Sequence, residues 1–287
     1  MKYAIGIDLG GTKIYGILMD KKGRIHKHYH RPTEHHKGRK KVIANIVEVI
    51  ERMKTKGVVG VGVGMPGFIL PNGVVPFGGG TLTKLVGINL AKELEKKVKI
   101  KVKVDNDANL FALAEHKLGA AKGSNNTIGV ILGTGVGTGL ILNNKIYRGT
   151  LGAAGEAGFT YIATNEGIKH IEELLGGPFI VRRYEKLSGK RAHTPRAILR
   201  KGDKAAKKAY DETVFYTGLF FANLINTFNP DCIVVGGGVS NLPFYKDVQK
   251  IARKYALPAL YKVCKIKKNA LGDDSGVLGA AELVFCD

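Results

Sequence analysis

Asp107 ends an alternating stretch, KIKVKVDND (99–107), and opens the run ANLFALAEHKLGAA. The alternation predicts a strand and the run after it a helix, so the carboxylate stands at a helix N-terminus, which favours its charged form. A carboxylate there can orient an attacking hydroxyl and accept its proton in phosphoryl transfer. It can equally be a plain helix cap, since Asp is a preferred N-cap residue. Asn106 beside it offers both a donor and an acceptor to hydroxyl groups, and Asp105 makes the tip unusually acidic. Phosphoryl transfer also needs a cradle for phosphates, and two glycine-rich loops supply candidates. YAIGIDLGGTK carries Gly10, Gly11, Thr12 and Lys13; TIGVILGTGVGTGLIL (127–142) carries Gly133, Thr134 and Gly135. Glycine lets the backbone turn with positive φ and come close to a ligand, so that N–H groups face phosphate oxygens. A tight hairpin explains one or two glycines; it does not explain four interleaved with Thr134 and Thr138. Asp8 can hold Mg²⁺ directly or through water, because hard cations take oxygen ligands. Gly237 and Gly238 close DCIVVGGG (231–238), where a nucleoside could lie against bare backbone, although such runs are often mere turns.

Elements must position these residues. Residues 3–8 read as a buried strand, 14–19 as a second, and Lys21-Lys22-Gly23 as the turn into a third at about 24–30. Residues 38–56 have helical periodicity, with Val42, Ile43, Ile46, Val49, Ile50 and Met53 on one face. VVGVGVGMPG (58–67) predicts a buried strand closing in a Pro-Gly turn, and Ile88 to Lys97 an amphipathic helix. After Gly123 the plan begins again. Strand, glycine loop and strand fill 127–142, a turn follows at Asn143-Asn144, and helices occupy most of 166–228. A strand at 231–238 and a helix at about 275–285 close the chain. One plan used twice predicts an α/β protein of two domains, 1–119 and 120–287, with the last helix free to pack on the first.

Six motifs in this order, GIDLGGTK, the GMPG turn, VDNDAN, LGTGVGTG, GTLGAAGEAG (149–158) and VVGGGVS, make the chain resemble the ROK family of sugar kinases (repressor, open reading frame, kinase) over nearly its whole length. The resemblance implies a two-domain actin-like ATPase (ribonuclease H-like) fold with duplicated mixed β-sheets. It implies ATP- and Mg²⁺-dependent phosphorylation of a hexose hydroxyl, at C6. Asp107 then serves as base, with Asn106, Gly67 and Glu156 at the sugar and Glu172, in IEELLGG, as a second sugar-binding carboxylate. Gly10 to Lys13, Gly133 to Gly135, Gly237 and Gly238 fall to the nucleotide, with Thr134 donating to the β- or γ-phosphate. The chain departs from the family after Glu156. The family commonly has His three residues later, then a compact run of cysteines that binds structural zinc. Here Phe159 takes the His position, and no cysteine occurs between Asn125 and Asp231. No zinc is expected, and sugar choice should be broader than in relatives that keep the histidine. The alternatives are an N-acetylhexosamine or fructose kinase of the same family, or a non-catalytic sugar-sensing regulator. Asp107 speaks against a regulator, as does a core strand that starts at Lys2 or Tyr3, ahead of which a helix-turn-helix has no room.

Composition narrows the partners. The 287 residues are 44% hydrophobic and 24% charged, with no apolar stretch near the roughly 18–20 residues that span a bilayer. Neither a membrane nor a secretory signal is indicated, and a cytoplasmic protein is expected. Three dispersed cysteines form neither a disulfide framework nor a zinc motif. The formal net charge of +21 could attract polyanions, but lysines scattered over the predicted helices fit a solvated surface better, so no nucleic-acid partner is expected. His26, His28 and His30 share one face of a strand, which reads as a solvent face before a metal site. The remaining expected partners are sugar and ATP, with the homodimer or higher homo-oligomer common in the family.

Overall fold

Alternating apolar residues build the first sheet. Its strands and flanking helices are β1 (Tyr3–Leu9), β2 (Lys13–Asp20), β3 (Ile25–Pro32), α1 (Arg39–Met53), β4 (Val58–Met65), α2 (Leu90–Val98), β5 (Val102–Asn106) and α3 (Asp107–Lys117). These come from a computed structural model of the chain, which describes residues 1–76 and 82–286. The sheet order is β3-β2-β1-β4-β5, antiparallel across β1, β2 and β3 and parallel across β1, β4 and β5. Ile5, Ile7 and Leu9 point to one face and meet Val42, Ile46, Val49 and Ile50 of α1.

The second sheet follows the same plan. The next elements along the chain are β6 (Thr127–Leu132), β7 (Val136–Leu142), β8 (Lys145–Ile146), β9 (Tyr161–Thr164), β10 (Gly167–His170), α4 (Ile171–Leu175), α5 (Gly177–Ser188), α6 (Pro195–Leu199), α7 (Lys204–Phe228), β11 (Cys232–Gly236), α8 (Tyr245–Tyr255), α9 (Pro258–Val263) and β12 (Lys265–Lys268). The order β12-β11-β6-β7-β8 matches the first sheet, with β6 antiparallel to β7 and parallel to β11. The α/β class and duplicated mixed sheets expected of an actin-like ATPase fold are observed. Residues 167–170, expected within helix, form β10 instead: Gly167 turns with φ 103° and the Thr164 hydroxyl donates to its carbonyl, closing a hairpin.

The last helix, α10 (Ser275–Phe285), packs on the first sheet's other face, where Val277, Leu278 and Ala281 meet Ala4, Ile17, Met19 and Ala114. The chain accordingly falls into two discontinuous units. One comprises Met1–Lys122, Ile146–Ala154 and Ala270–Asp287, the other Gly123–Lys145 and Gly155–Asn269. A single cut at 119/120 does not express this, because two later segments find their packing partners in the first unit. Glu115, fully buried on α3, anchors one of them. Its carboxylate accepts from the Ala270 and Leu271 backbone N–H groups at 3.1 and 3.0 Å and from the Ser275 hydroxyl at 2.9 Å.

On β3 the His28 and His30 rings meet edge-on with centroids 6.3 Å apart. His26 bonds to Asp20 at 2.9 Å, while His30 stacks on Tyr15 with centroids 4.1 Å apart. Among the described residues no group of His, Cys, Asp and Glu is placed to hold a metal ion by itself, and no helix is long and apolar enough to cross a membrane.

Candidate active site

The turn from β1 to β2 holds the first phosphate-loop candidate. The Gly10 N–H donates to the Lys13 carbonyl at 3.0 Å. Thr33, fully buried just after β3, fastens the loop twice: its hydroxyl donates to the Gly10 carbonyl at 2.7 Å and its N–H to the Thr12 carbonyl at 2.8 Å. Asp8 lies at the end of β1, half-buried, facing Gly276 of α10, where a Cβ would come within 3.8 Å of its carboxyl carbon. Burial pushes its carboxyl above the usual range, and the Lys13 ammonium pulls partly the other way. A desolvated carboxylate with glycine beside it suits a hydrated hard cation, so Asp8 fits Mg²⁺. Lys13 stands 5.6 Å over the Tyr15 ring. The Tyr15 phenol bonds to Asp274 and is pushed up to about 12, by burial first and that carboxylate second.

At the corner from β5 to α3 two side chains, Asn106 and Asp107, meet the helix end. Asn106, with φ −65° and ψ 143°, is the N-cap. Its Oδ1 accepts from the Ala108 and Asn109 N–H groups at 2.8 and 3.1 Å, and its Nδ2 donates to the Gly67 carbonyl at 3.1 Å. The acceptor that the sequence offers to a hydroxyl is thus used within the protein, and one amide hydrogen is left for a ligand. Asp107 is the first helical residue, and its Oδ1 also accepts from the Ala108 N–H at 2.9 Å. Gly67, at φ 90°, contributes its carbonyl to Asn106. Asp105, buried, accepts from Asn106 N–H and Asn109 Nδ2 and receives both prongs of Arg148.

In the second unit, the turn from β6 to β7 is gripped by the start of α4 and α5. Gly133 N–H donates to the Gly135 carbonyl at 3.0 Å, and the Gly133 carbonyl accepts from Gly177 at 2.8 Å. Glu172 accepts from the Val136 N–H at 2.9 Å. A Cβ on Gly135 would stand 2.3 Å from the Glu172 carboxylate. Thr134 is exposed at the tip, whereas Thr138 is buried and its hydroxyl donates to the Gly155 carbonyl. Glu156 follows Gly155. Burial, and secondly the charge of Glu172, raise its carboxyl above the usual range. The structure therefore brings Gly135, Glu172 and Glu156 together. Phe159, 57% exposed, meets the His170 ring edge-on with centroids 5.8 Å apart. Gly237 presses on β6, where a Cβ would lie 2.4 Å from the Leu132 carbonyl; Gly238 has open space beside it.

Of the proposed ligand-facing glycines only Gly67 and Gly237 turn with positive φ; Gly10, Gly11, Gly133, Gly135 and Gly238 do not. Glycine serves at Gly135 to make room and at Gly238 to leave backbone open. Thr33 and Arg148 escaped the sequence reading, since each acts on a segment distant in the chain and neither belongs to a local motif.

A family model described as ROK family matches residues 4–286. The chain is 30% identical to a glucokinase of Halalkalibacterium halodurans, over 99% of this chain and 95% of that one. It is 30% identical to an N-acetyl-D-glucosamine kinase of Pasteurella multocida, over 99% of each. Among solved structures, a ROK family glucokinase from Streptomyces griseus in complex with glucose and AMPPNP superposes with a TM-score of 0.78 at 27% identity, covering 98% of both chains.

Proposed function

The chain belongs to the ROK family and is an ATP-dependent sugar kinase, and we propose that it moves the γ-phosphoryl group to the C6 hydroxyl of several hexoses. What carries the reading is the corner from β5 to α3, where Asn106 satisfies the helix end and Asp107 takes the first helical position. Asp107 orients the attacking hydroxyl and accepts its proton as the oxygen meets the phosphorus. The remaining Asn106 amide hydrogen and the carboxylates of Glu156 and Glu172 hold the other sugar hydroxyls, with Gly67 fixing Asn106. Backbone N–H groups of Gly10 to Thr12 and Gly133 to Gly135, the Thr134 hydroxyl and the Lys13 ammonium receive the phosphates. Gly237 and Gly238 offer the nucleoside bare backbone. Mg²⁺, when bound, would offset the negative charge of the phosphates; Asp8 is the residue that would hold it, directly or through water. We place the reaction in the cytoplasm and expect a homo-oligomer, which light scattering tests.

Phe159 supports the breadth of sugar choice. It presents an apolar, exposed ring where a histidine would offer a donor and an acceptor. A site lacking a contact to one hydroxyl discriminates weakly among sugars that differ there. An N-acetylhexosamine therefore belongs in the panel, and the Pasteurella relative carries such a name.

The decisive variant is Asp107→Asn. We expect kcat to fall at least ~10²-fold with sugar affinity roughly intact, the loss of a positioned base. Equal kcat in mutant and wild type refutes the assignment. ADP release across glucose, mannose, fructose and N-acetylated hexosamines tests the breadth. Glucose preferred by more than ~10³-fold in kcat/KM over every other sugar is too large a gap for weak discrimination and overturns it.

A further inference from the structure

Asp105 and Arg148 form a two-pronged ion pair next to the proposed base. Asp105 is 4% exposed and stands two residues before Asp107. Its Oδ1 accepts from the Asn106 N–H at 2.8 Å and from Asn109 Nδ2 at 2.9 Å. Its Oδ2 accepts from Arg148 Nε at 2.8 Å and Nη2 at 2.6 Å. The carboxylate is fully occupied, and the planar guanidinium fork orients it in a way that a point charge cannot.

The pair also closes a ring of contacts around the tip. Arg148 lies in the 146–154 segment, and its carbonyl accepts from the Ala154 N–H at 3.0 Å, closing that loop on itself. Gly152 in the loop rests on Ile69, so tightly that a Cβ would stand 2.0 Å from the Ile69 carbonyl. Two residues before Ile69, the Gly67 carbonyl holds the Asn106 amide. Asn106 is thus fixed from one side through Asp105 and Arg148, and from the other through Gly67.

We propose that Arg148 is a positioning residue for Asp107, acting through Asp105. The fork fixes the strand end that carries the base, and its charge cancels that of a carboxylate two residues away. The proposal rests on Asp107 being the base. The other charged or titratable groups on the elements packed here include Lys103 on β5, Glu115, His116 and Lys117 on α3, Glu95 of α2 at the start of β5, and Glu282 and Cys286 around the end of α10. Lys103 is engaged with the Leu283 carbonyl at 3.1 Å, and the Cys286 thiol lies within reach of the Lys117, Lys103 and Arg148 charges.

The test is the acid limb of kcat/KM against pH, read beside kcat and sugar KM in variants with a cooperative melt. Arg148→Met leaves the Asp105 charge uncompensated and should move the limb up by about half a pH unit or more. Asp105→Asn leaves the Arg148 charge uncompensated and should move it down. The double variant should return it to the wild-type position. Arg148→Lys keeps the charge but not the fork, so the limb should stay while kcat falls about 10-fold, as misplaced groups do, with sugar KM nearly unchanged. Shifts of the same sign in both single variants, unshifted limbs, or wild-type kcat in Arg148→Lys overturn the proposal. Should Arg148→Met fail to fold, Asp105→Asn and Arg148→Lys each decide alone. Asp107→Asn run alongside separates the two failures: an active Asp107→Asn removes the base, whereas an inactive one with unshifted limbs removes only the role of Arg148.

Discussion

At the corner from β5 to α3, Asn106 accepts from two backbone N–H groups and Asp107 from one of them, that of Ala108. Sequence could not separate them, because cap and first helical residue differ by one position and only the extended backbone of Asn106 decides which is which. Gly135 carries a similar lesson. Its type was legible as a loop glycine, but the demand on it comes from Glu172, 37 positions along the chain, whose carboxylate fills the place of a side chain. Glu156 allows a prediction at this scale. Burial and Glu172 raise its carboxyl in the fold above the ordinary 4.5, so the native state binds this proton more tightly than the unfolded chain does. Its contribution to stability is present in full below 4.5 and is lost as pH rises through the raised value. Glu156→Gln should therefore melt higher than wild type at pH 8, with the gain vanishing by about pH 4, while the sugar KM rises. Melting curves at the two pH values check this. A variant that gains nothing at pH 8 shows that the charged carboxylate is compensated in the fold.

At the scale of elements, most strands and helices were legible because apolar residues recur at periods of two or 3.6. The alternation in VVGVGVGM announced a buried strand, yet it gave no hint of what covers the glycine side. The answer is α10, more than 200 positions away. A Cβ on Gly62 would stand 1.7 Å from the Ala280 carbonyl, one on Gly6 2.3 Å from that of Val277, and one on Gly279 1.9 Å from that of Leu110. At Gly62 and Gly6 helix backbone lies directly on sheet backbone, at Gly279 the backbone of α10 lies on that of α3, and only glycine allows it. The β9–β10 hairpin was illegible for the opposite reason. Ile168 and Ile171 fit a helical face as well as a strand, and the Thr164–Gly167 turn that decides is one hydroxyl bond. Gly62→Ala should destabilise the protein by about 1–3 kcal/mol, the usual cost of overpacking a tight core. Urea titration measures it. An unchanged midpoint means that α10 can lift from the sheet without loss.

At the scale of the whole molecule, charge is the property that local motifs do not explain. Forty-five basic residues face 24 acidic ones, so even complete pairing leaves a net charge of +21. Many of the ion pairs join exposed neighbours three or four positions apart, such as Lys96 with Glu93 and Lys207 with Asp211. Pairs of that kind are each worth about 0.3–0.5 kcal/mol and weaken with salt. Two effects oppose each other. Salt screens the favourable pairs, lowering stability, and it screens the repulsion of the excess positive charge, raising it. With so large an excess, repulsion should win. The melting temperature should rise between about 20 mM and 300 mM sodium chloride by at least about 2 °C, the shift that roughly 1 kcal/mol produces in a chain of this size. ATP should behave in the opposite sense. A polyanion drawn to a positive molecule loses that attraction as ions screen it, so the KM for ATP should increase over the same range while that for the neutral sugar stays level. Calorimetry and steady-state kinetics at a series of salt concentrations read both. A melting temperature that falls with salt would mean that cooperative ion-pair networks outweigh repulsion, the pattern of proteins adapted to heat.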